Sequence, residues 1–272
     1  MDKHSVSVIV SSYNQPNALR LVLAGFAAQD DMDFELIVAD DGSEAHTIDL
    51  VTKFSAGAPF IVRFVTQDHT VFGKTRILNK AVLESEGDQL VFCDGDCIPF
   101  RNFVSSHRRA YRPNRFCTGG YVLIGLDDAR ALTPHEVLQG THERLLTAGR
   151  RAALLSVHLK NLLYRAVGRE RKPKIQGRNW SVDCKAFFDV DGFDEVYSGV
   201  GKEDSDIRNR LRNLGSEGVS LWRKSLVCHL DHRLDLRRDK NAVRSRADRA
   251  LYKLGFEVIK ARKGLSSHDA VG

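Results

Sequence analysis

Four short apolar runs in the first hundred residues constrain this chain most, because each ends in polar residues and helical spacing fills the gaps between them. Val6-Ser7-Val8-Ile9-Val10 leads into Ser11-Ser12-Tyr13-Asn14. Phe34-Glu35-Leu36-Ile37-Val38-Ala39 leads into Asp40-Asp41-Gly42-Ser43. Residues 60 to 65 form a third run, and Leu90-Val91-Phe92-Cys93 runs directly into Asp94-Gly95-Asp96. Between them, Leu19, Val22, Leu23 and Phe26 share one helical face, as do Ile77, Leu78, Ala81 and Val82. Short apolar strands alternating with helices predict a parallel sheet covered on both faces. In such a sheet, ligands bind beyond the carboxyl ends of the strands, where these polar clusters fall.

The clusters differ in chemistry. Two carboxylates flanking a glycine, as in Asp94-Gly95-Asp96, can turn tightly and aim at one point. Hard cations such as Mg²⁺ and Mn²⁺ take oxygen ligands and share them with phosphates. A solvated acidic turn is the competing reading. Asp41 can accept from a nucleoside, although an Asp-Asp-Gly-Ser turn also serves as a plain loop and cap. Tyr13 offers an aromatic platform for a base. Arg76 and Asn79 lie about one helical turn apart and could face the same crevice, with Arg76 offsetting phosphate charge.

The second half is less regular. Residues 119 to 124 predict a strand, much of 134 to 167 a long helix, 175 to 182 and 225 to 228 two further strands, and 203 to 214 a helix. That last helix opens with Glu203-Asp204-Ser205-Asp206. Acids there match the helix dipole; either Glu203 or Asp204 could also be a general base for an acceptor hydroxyl. His229 and His232 follow an apolar strand and could complete a metal shell. The five cysteines are scattered and odd in number, so they form no secreted disulfide framework and are expected to be buried thiols.

The net charge of +6 is local. Residues 144 to 178 contribute +9 and residues 233 to 263 contribute +7, leaving −10 for the rest. Two basic segments therefore suggest an anionic partner nearby. In the first, Leu155, Leu159, Leu162, Leu163 and Ala166 form an apolar stripe beside Arg151, Lys160 and Arg165. A core helix with solvated lysines and arginines is one reading; docking on an anionic membrane or lipid diphosphate is the other. No run reaches the roughly 18 apolar residues of a membrane span. The N-terminus has no signal-peptide layout, so the expected location is cytoplasmic, with peripheral contact on the inner membrane face. Basic-aromatic interleaving for nucleic acid is not found.

Taken in order, Val8 to Asn14, Asp40 to Ser43, Gly73-Lys74-Thr75-Arg76-Ile77-Leu78-Asn79 and Asp94-Gly95-Asp96 resemble the motifs of family 2 glycosyltransferases of the A-type fold. Gly177-Arg178-Asn179-Trp180-Ser181, Gly192-Phe193-Asp194-Glu195 and residues 199 to 211 resemble the C-terminal region of β-1,4-galactosyltransferases and polypeptide N-acetylgalactosaminyltransferases. The resemblance implies a Rossmann-like α/β fold with a mostly parallel central sheet flanked by helices. Residues 1–98 would be the nucleotide-sugar half and 99–232 the acceptor-binding and catalytic half of the same domain, with 233–272 a basic helical extension. The donor, UDP-linked by resemblance, would meet Ser11, Tyr13, Asn14, Asp41, Arg76, Asn79, Asp94, Gly95, Arg178 and Asn179. Asp94, Asp96 and His229, with His232 as alternative, would hold Mn²⁺ or Mg²⁺. Asp204 would be the base, Glu203 would touch sugar or acceptor, and Trp180 would bind acceptor. The implied reaction is inverting transfer of a hexose or N-acetylhexosamine to a saccharide or glycolipid hydroxyl. A non-catalytic carbohydrate- or nucleotide-sugar-binding module on the same fold is the alternative.

Overall fold

The computed structural model describes residues 4–69, 73–168, 172–197, 202–231, 252 and 257–269. His232 and most of the basic stretch 233–263 lie outside the described residues. The leading strands are β1 (Val6–Ser12), β2 (Glu35–Asp40), β3 (Ile61–Thr66) and β4 (Gln89–Asp94). Helices α1 (Pro16–Ala27), α2 (Ala45–Ser55) and α3 (Lys74–Leu83) alternate with them. After the acidic turn come β5 (Cys97–Pro99), α4 (Phe103–Ala110), β6 (Arg115–Leu123), α5 (Leu126–Ala131) and α6 (Pro134–Leu138). A 3-10 turn (Thr141–Leu145) precedes α7 (Ala148–Ala166), then β7 (Trp180–Asp183), α8 (Cys184–Asp189), α9 (Glu203–Asn213), β8 (Glu217–His229) and the short α10 (Ser266–Asp269).

The strands form one eight-stranded sheet in the order β3-β2-β1-β4-β7-β6-β8-β5. The pairs β1–β2, β1–β4, β2–β3 and β6–β8 are parallel, and β7 and β5 add antiparallel contacts. The continuous apolar runs of β1, β2 and β4 are explained by cover on both faces. Val8, Val10, Leu36, Val38, Val91 and Cys93 join α1 in one core. Ile9, Ile37, Ala39, Leu90 and Phe92 join α3, α8 and α9 in the other. Strand alternation thus sorts neighbouring residues into opposite layers.

Two expected strands move. Residues 175 to 179 are a loop, and the strand starts at Trp180. The run at 225 to 228 is the end of a strand of 13 residues. The long helix expected over 134 to 167 breaks into α6, the 3-10 turn and α7: Gly140, at φ +76°, separates the first two, and Thr147 caps the start of α7 by accepting from the Arg150 N–H.

Candidate active site

Parallel pairing of β1 with β2 and β4 brings three strand ends side by side: Ser12 faces Asp40, and Ser11 faces Asp94. The turn after β4 needs its glycine. Gly95 donates its N–H to the Ser11 carbonyl at 2.8 Å. A Cβ at Gly95 would stand 2.5 Å from that oxygen.

At the β2 end the buried Asp41 carboxylate accepts from Gln67 Nε2 at 2.6 Å and from the Gly73 N–H at 2.9 Å. The His69 ring lies 3.3 Å from the same group and stacks on Tyr13, with centroids 4.1 Å apart. Asp40 instead closes its own turn onto Ser43. Asn14 takes a positive φ of 46°, donates its N–H to Ser43 Oγ and accepts from the Glu44 N–H. This end therefore presents Tyr13, His69 and Asp41 as one cluster.

At the β4 end Lys74 reaches Asp94, Nζ to Oδ1, at 2.5 Å, and Ser11 Oγ donates to the same oxygen at 3.0 Å. Burial opposes the charge of Lys74, but Asp94, Asp204 and Glu203 outweigh it and hold its ammonium above the usual lysine range. Above this pair lies Gly177: a Cβ there would be 2.8 Å from Lys74 Nζ and 3.0 Å from Asp94 Oδ1. Its N–H donates to Asp204 Oδ2 at 2.9 Å. Burial pushes the Asp204 carboxyl up, with Asp94 adding to the shift and Lys74 opposing it. Glu203 is buried beside it at the start of α9.

The third cluster is Asp96, Cys97 and His229, whose ligand atoms all lie within 4.8 Å of one another. His229 Nε2 is 3.6 Å from Asp96 Oδ1, and Cys97 Sγ donates to that oxygen at 3.4 Å. Arg178 stacks over Tyr121 at 4.5 Å, and the Tyr121 ring meets His229 edge-on at 6.2 Å. A carboxylate oxygen and an imidazole nitrogen suit a divalent cation. The donor set therefore fits the metal that the resemblance implies.

Four of the expected site residues have other partners in the structure. Asp94 is not in the cation cluster; its carboxylate is engaged by Lys74 and Ser11 instead. Asn79 is fully buried and bonds the backbone of Phe193 and the Glu195 carboxylate, so it anchors a loop away from the crevice. Asn179 is also buried, its amide spent on the carbonyls of Gly120 and Ser225 and on His107. Trp180 is paired with Phe92 across β4 and β7 and stacks on it at 4.5 Å, so this fully buried ring has no face left for an acceptor.

Arg76 is exposed on α3, while the cation at Asp94 is Lys74, which sequence reasoning passed over. A signal existed. Lys74 is the first residue of α3, where the helix dipole disfavours a cation. Cys97, expected only as a buried thiol, and Tyr121, which no sequence motif singles out, reach His229 through the β5–β8 and β6–β8 pairings.

Comparison with known proteins agrees with this architecture. Residues 7–157 match the family described as Glycosyl transferase family 2. Residues 158–233 match the one described as N-terminal domain of galactosyltransferase. The chain belongs to glycosyl transferase family 2. It is 33% identical over 107 residues to the uncharacterized glycosyltransferase YfnE of Bacillus subtilis, covering 39% of this chain and 26% of that protein. It is 28% identical over 94 residues to a cholesterol galactosyltransferase of Borreliella burgdorferi, covering 35% of this chain and 25% of that one. The chain thus matches about a quarter of the length of these relatives.

Among solved structures, the mannosyltransferase PcManGT of Pyrobaculum calidifontis, in complex with GDP-Man and Mn²⁺, superposes with a TM-score of 0.59 at 18% identity, covering 93% of this chain and 63% of that one. GalNAc-T7 with UDP, GalNAc and Mn²⁺ gives 0.58 at 14% identity, covering 85% and 44%. These likenesses establish the A-type glycosyltransferase fold.

Proposed function

We propose that this chain is a metal-dependent, inverting glycosyltransferase. It moves a hexose or N-acetylhexosamine from a nucleotide sugar, UDP-linked by resemblance, to a saccharide or glycolipid hydroxyl. The observation that carries the reading is the convergence of Asp94, Lys74, Gly177 and Asp204 beside the Asp96–His229 pair. The relatives named above, and the GDP-Man, UDP and Mn²⁺ of the two similar structures, support the same class of donor and cofactor.

In this reading Tyr13 and Asp41 receive the nucleoside base, and Lys74, in place of Arg76, lies against the diphosphate. Arg178 adds positive charge on the far side. Asp96 and His229 would hold Mn²⁺ or Mg²⁺, which when bound supplies Lewis-acid stabilisation of the leaving diphosphate. Asp204 accepts the proton of the acceptor hydroxyl as that oxygen attacks the anomeric carbon. Its Oδ2 is held by the Gly177 N–H, so its lone pairs are oriented before substrate arrives. Glu203 is placed to touch sugar or acceptor. A binding module that had lost catalysis would have no need of a pinned carboxylate at this point.

The test is a donor-hydrolysis and transfer screen across nucleotide sugars, with Mn²⁺, Mg²⁺ or EDTA. Turnover that requires the added cation supports the reading. Turnover unaffected by EDTA overturns the metal assignment, and tight donor binding without any turnover favours the binding module.

A further inference from the structure

The cation cluster contains one group that the catalytic reading does not use. We propose that Cys97 is a protein ligand of the cation, so that the site offers oxygen, nitrogen and sulfur and selects Co²⁺ or Zn²⁺ over Mg²⁺. The proposal rests on the donor-site reading above and specifies its metal chemistry.

The topology places the thiol there. Strands β5 and β8 pair antiparallel with Cys97 directly opposite His229. Residues opposite each other in such a pair project to the same face at close range. Asp96 is fixed alongside, because its carbonyl accepts the Leu230 N–H at 2.8 Å. All three side chains are at least nine-tenths buried: Asp96 is 7% exposed, Cys97 0% and His229 5%.

Two of the three separations are those of ligands around one small cation, and the third is within 4.8 Å. Bonds of about 2.0–2.2 Å to nitrogen or oxygen and about 2.3 Å to thiolate sulfur give tetrahedral ligand-to-ligand edges of roughly 3.4 Å for N and O and 3.6 Å for O and S. The observed values are 3.6 Å from His229 Nε2 to Asp96 Oδ1 and 3.4 Å from Cys97 Sγ to the same oxygen. Both contacts converge on one oxygen of Asp96, which leaves the three side chains around one point. The nearby Cys93 behaves differently. Its Sγ donates to the carbonyls of Asp94 and Cys97, and it is not part of the cluster. Coordination forms a sulfur–metal bond and releases the thiol proton to solvent. A thiolate ligand then favours borderline cations over Mg²⁺, which takes oxygen and keeps its waters.

Co²⁺ is the probe. The full chain is titrated with Co²⁺ by equilibrium dialysis, and the near-ultraviolet thiolate-to-cobalt charge-transfer band is recorded beside donor hydrolysis. A single bound equivalent with the band is expected. Cys97→Ser should lose the band and weaken Co²⁺ at least about tenfold, the lower end of what even outer-shell losses cost. Mg²⁺ affinity should stay unchanged, and Cys93→Ser should keep the band. Cobalt-edge X-ray absorption on the unmodified chain reads a sulfur neighbour directly, so the result does not depend on a variant folding. Bound Co²⁺ without sulfur, or a band that survives Cys97→Ser, overturns the role of Cys97 and leaves the donor-site reading standing. Failure to bind any divalent cation, with or without donor, overturns both.

Discussion

Replacing Arg210 with methionine removes the cation on which the helix that carries Asp204 is fixed. Arg210 and Asp206 form a buried pair on α9, 1% and 5% exposed, with Nε donating to Asp206 Oδ2 at 2.7 Å. Nη1 also donates to the carbonyls of Val190 and Gly192, each at 2.7 Å. Asp206 keeps one other donor, the Tyr197 hydroxyl at 3.1 Å. The variant therefore leaves a buried carboxylate with a single neutral partner and strips two carbonyls of a charged donor. Breaking a buried pair from one side costs about 3–5 kcal/mol. For a domain of this size, each kcal/mol lowers Tm by about 2–4 °C, so the fall should be roughly 6–20 °C. Calorimetry and urea unfolding read both quantities. Asp206→Asn added to Arg210→Met removes the stranded charge and should recover about 1–2 kcal/mol. Asp206 lies two residues beyond Asp204 in the first turn of α9, so loosening that turn should lower transfer further than stability alone explains at temperatures where the variant is folded. A Tm within about 2 °C of the parent, or a double variant less stable than the single one, would refute the argument.

Three other outcomes follow from the site. Asp204→Asn should bind donor nearly as well as the parent and lose at least about a hundredfold in transfer, the lower range for a general base; single-turnover kinetics with measured donor Kd separates the two. Burial raises the Asp204 carboxyl, so its base form is lost as pH falls through a value above the ordinary carboxylate range. The acid limb of kcat/KM should therefore lie above that range. Because Lys74 opposes the shift, Lys74→Met should move the limb to still higher pH and raise donor KM about tenfold, the cost of one charge-assisted contact. On α7, Leu159 is 54% exposed, Leu163 60% and the following Val167 61%, beside Arg151, Lys160 and Arg165. The apolar face and its basic flank fit an anionic lipid surface. Co-sedimentation with vesicles containing anionic lipid should exceed that with neutral vesicles and fall in Leu159→Glu/Leu163→Glu; equal recovery on both vesicle types would sink this docking.

No helix among the described residues is long and apolar enough to cross a membrane. The long amphipathic helix α7 illustrates how far pattern reading reaches. Its stripe of leucines was legible as a face, yet periodicity is the same for a face turned to the core and one turned outward. Only tertiary packing decided that Leu154 is buried while Leu159 and Leu163 stay at the surface.

Trp180 and Asn179 teach the same point at the site. Both stand in a motif whose order resembles the family, and that resemblance implies a ligand for each. In the folded chain the antiparallel pairing of β7 with β4 and β6 turns Trp180 inward, while Asn179, in the loop just before it, is held by Gly120, Ser225 and His107. An indole and an amide can satisfy either a ligand or a core, and the register chooses. Lys74 is the converse case. It was unremarkable beside Arg76 until the crevice put its ammonium on Asp94.

The sequence by itself determined the alternating layout, the covered parallel strands and the polar clusters at their ends. Each follows from local periodicity and from where apolar runs stop. The tertiary structure alone decided which carboxylates face each other. Asp94 and Asp96 are two residues apart, yet one joins Lys74 and the other His229. Gly95 permits that split by letting the turn press against Ser11, and the pairing of β5 with β8 completes it by carrying Cys97 and His229 together from far apart in the chain.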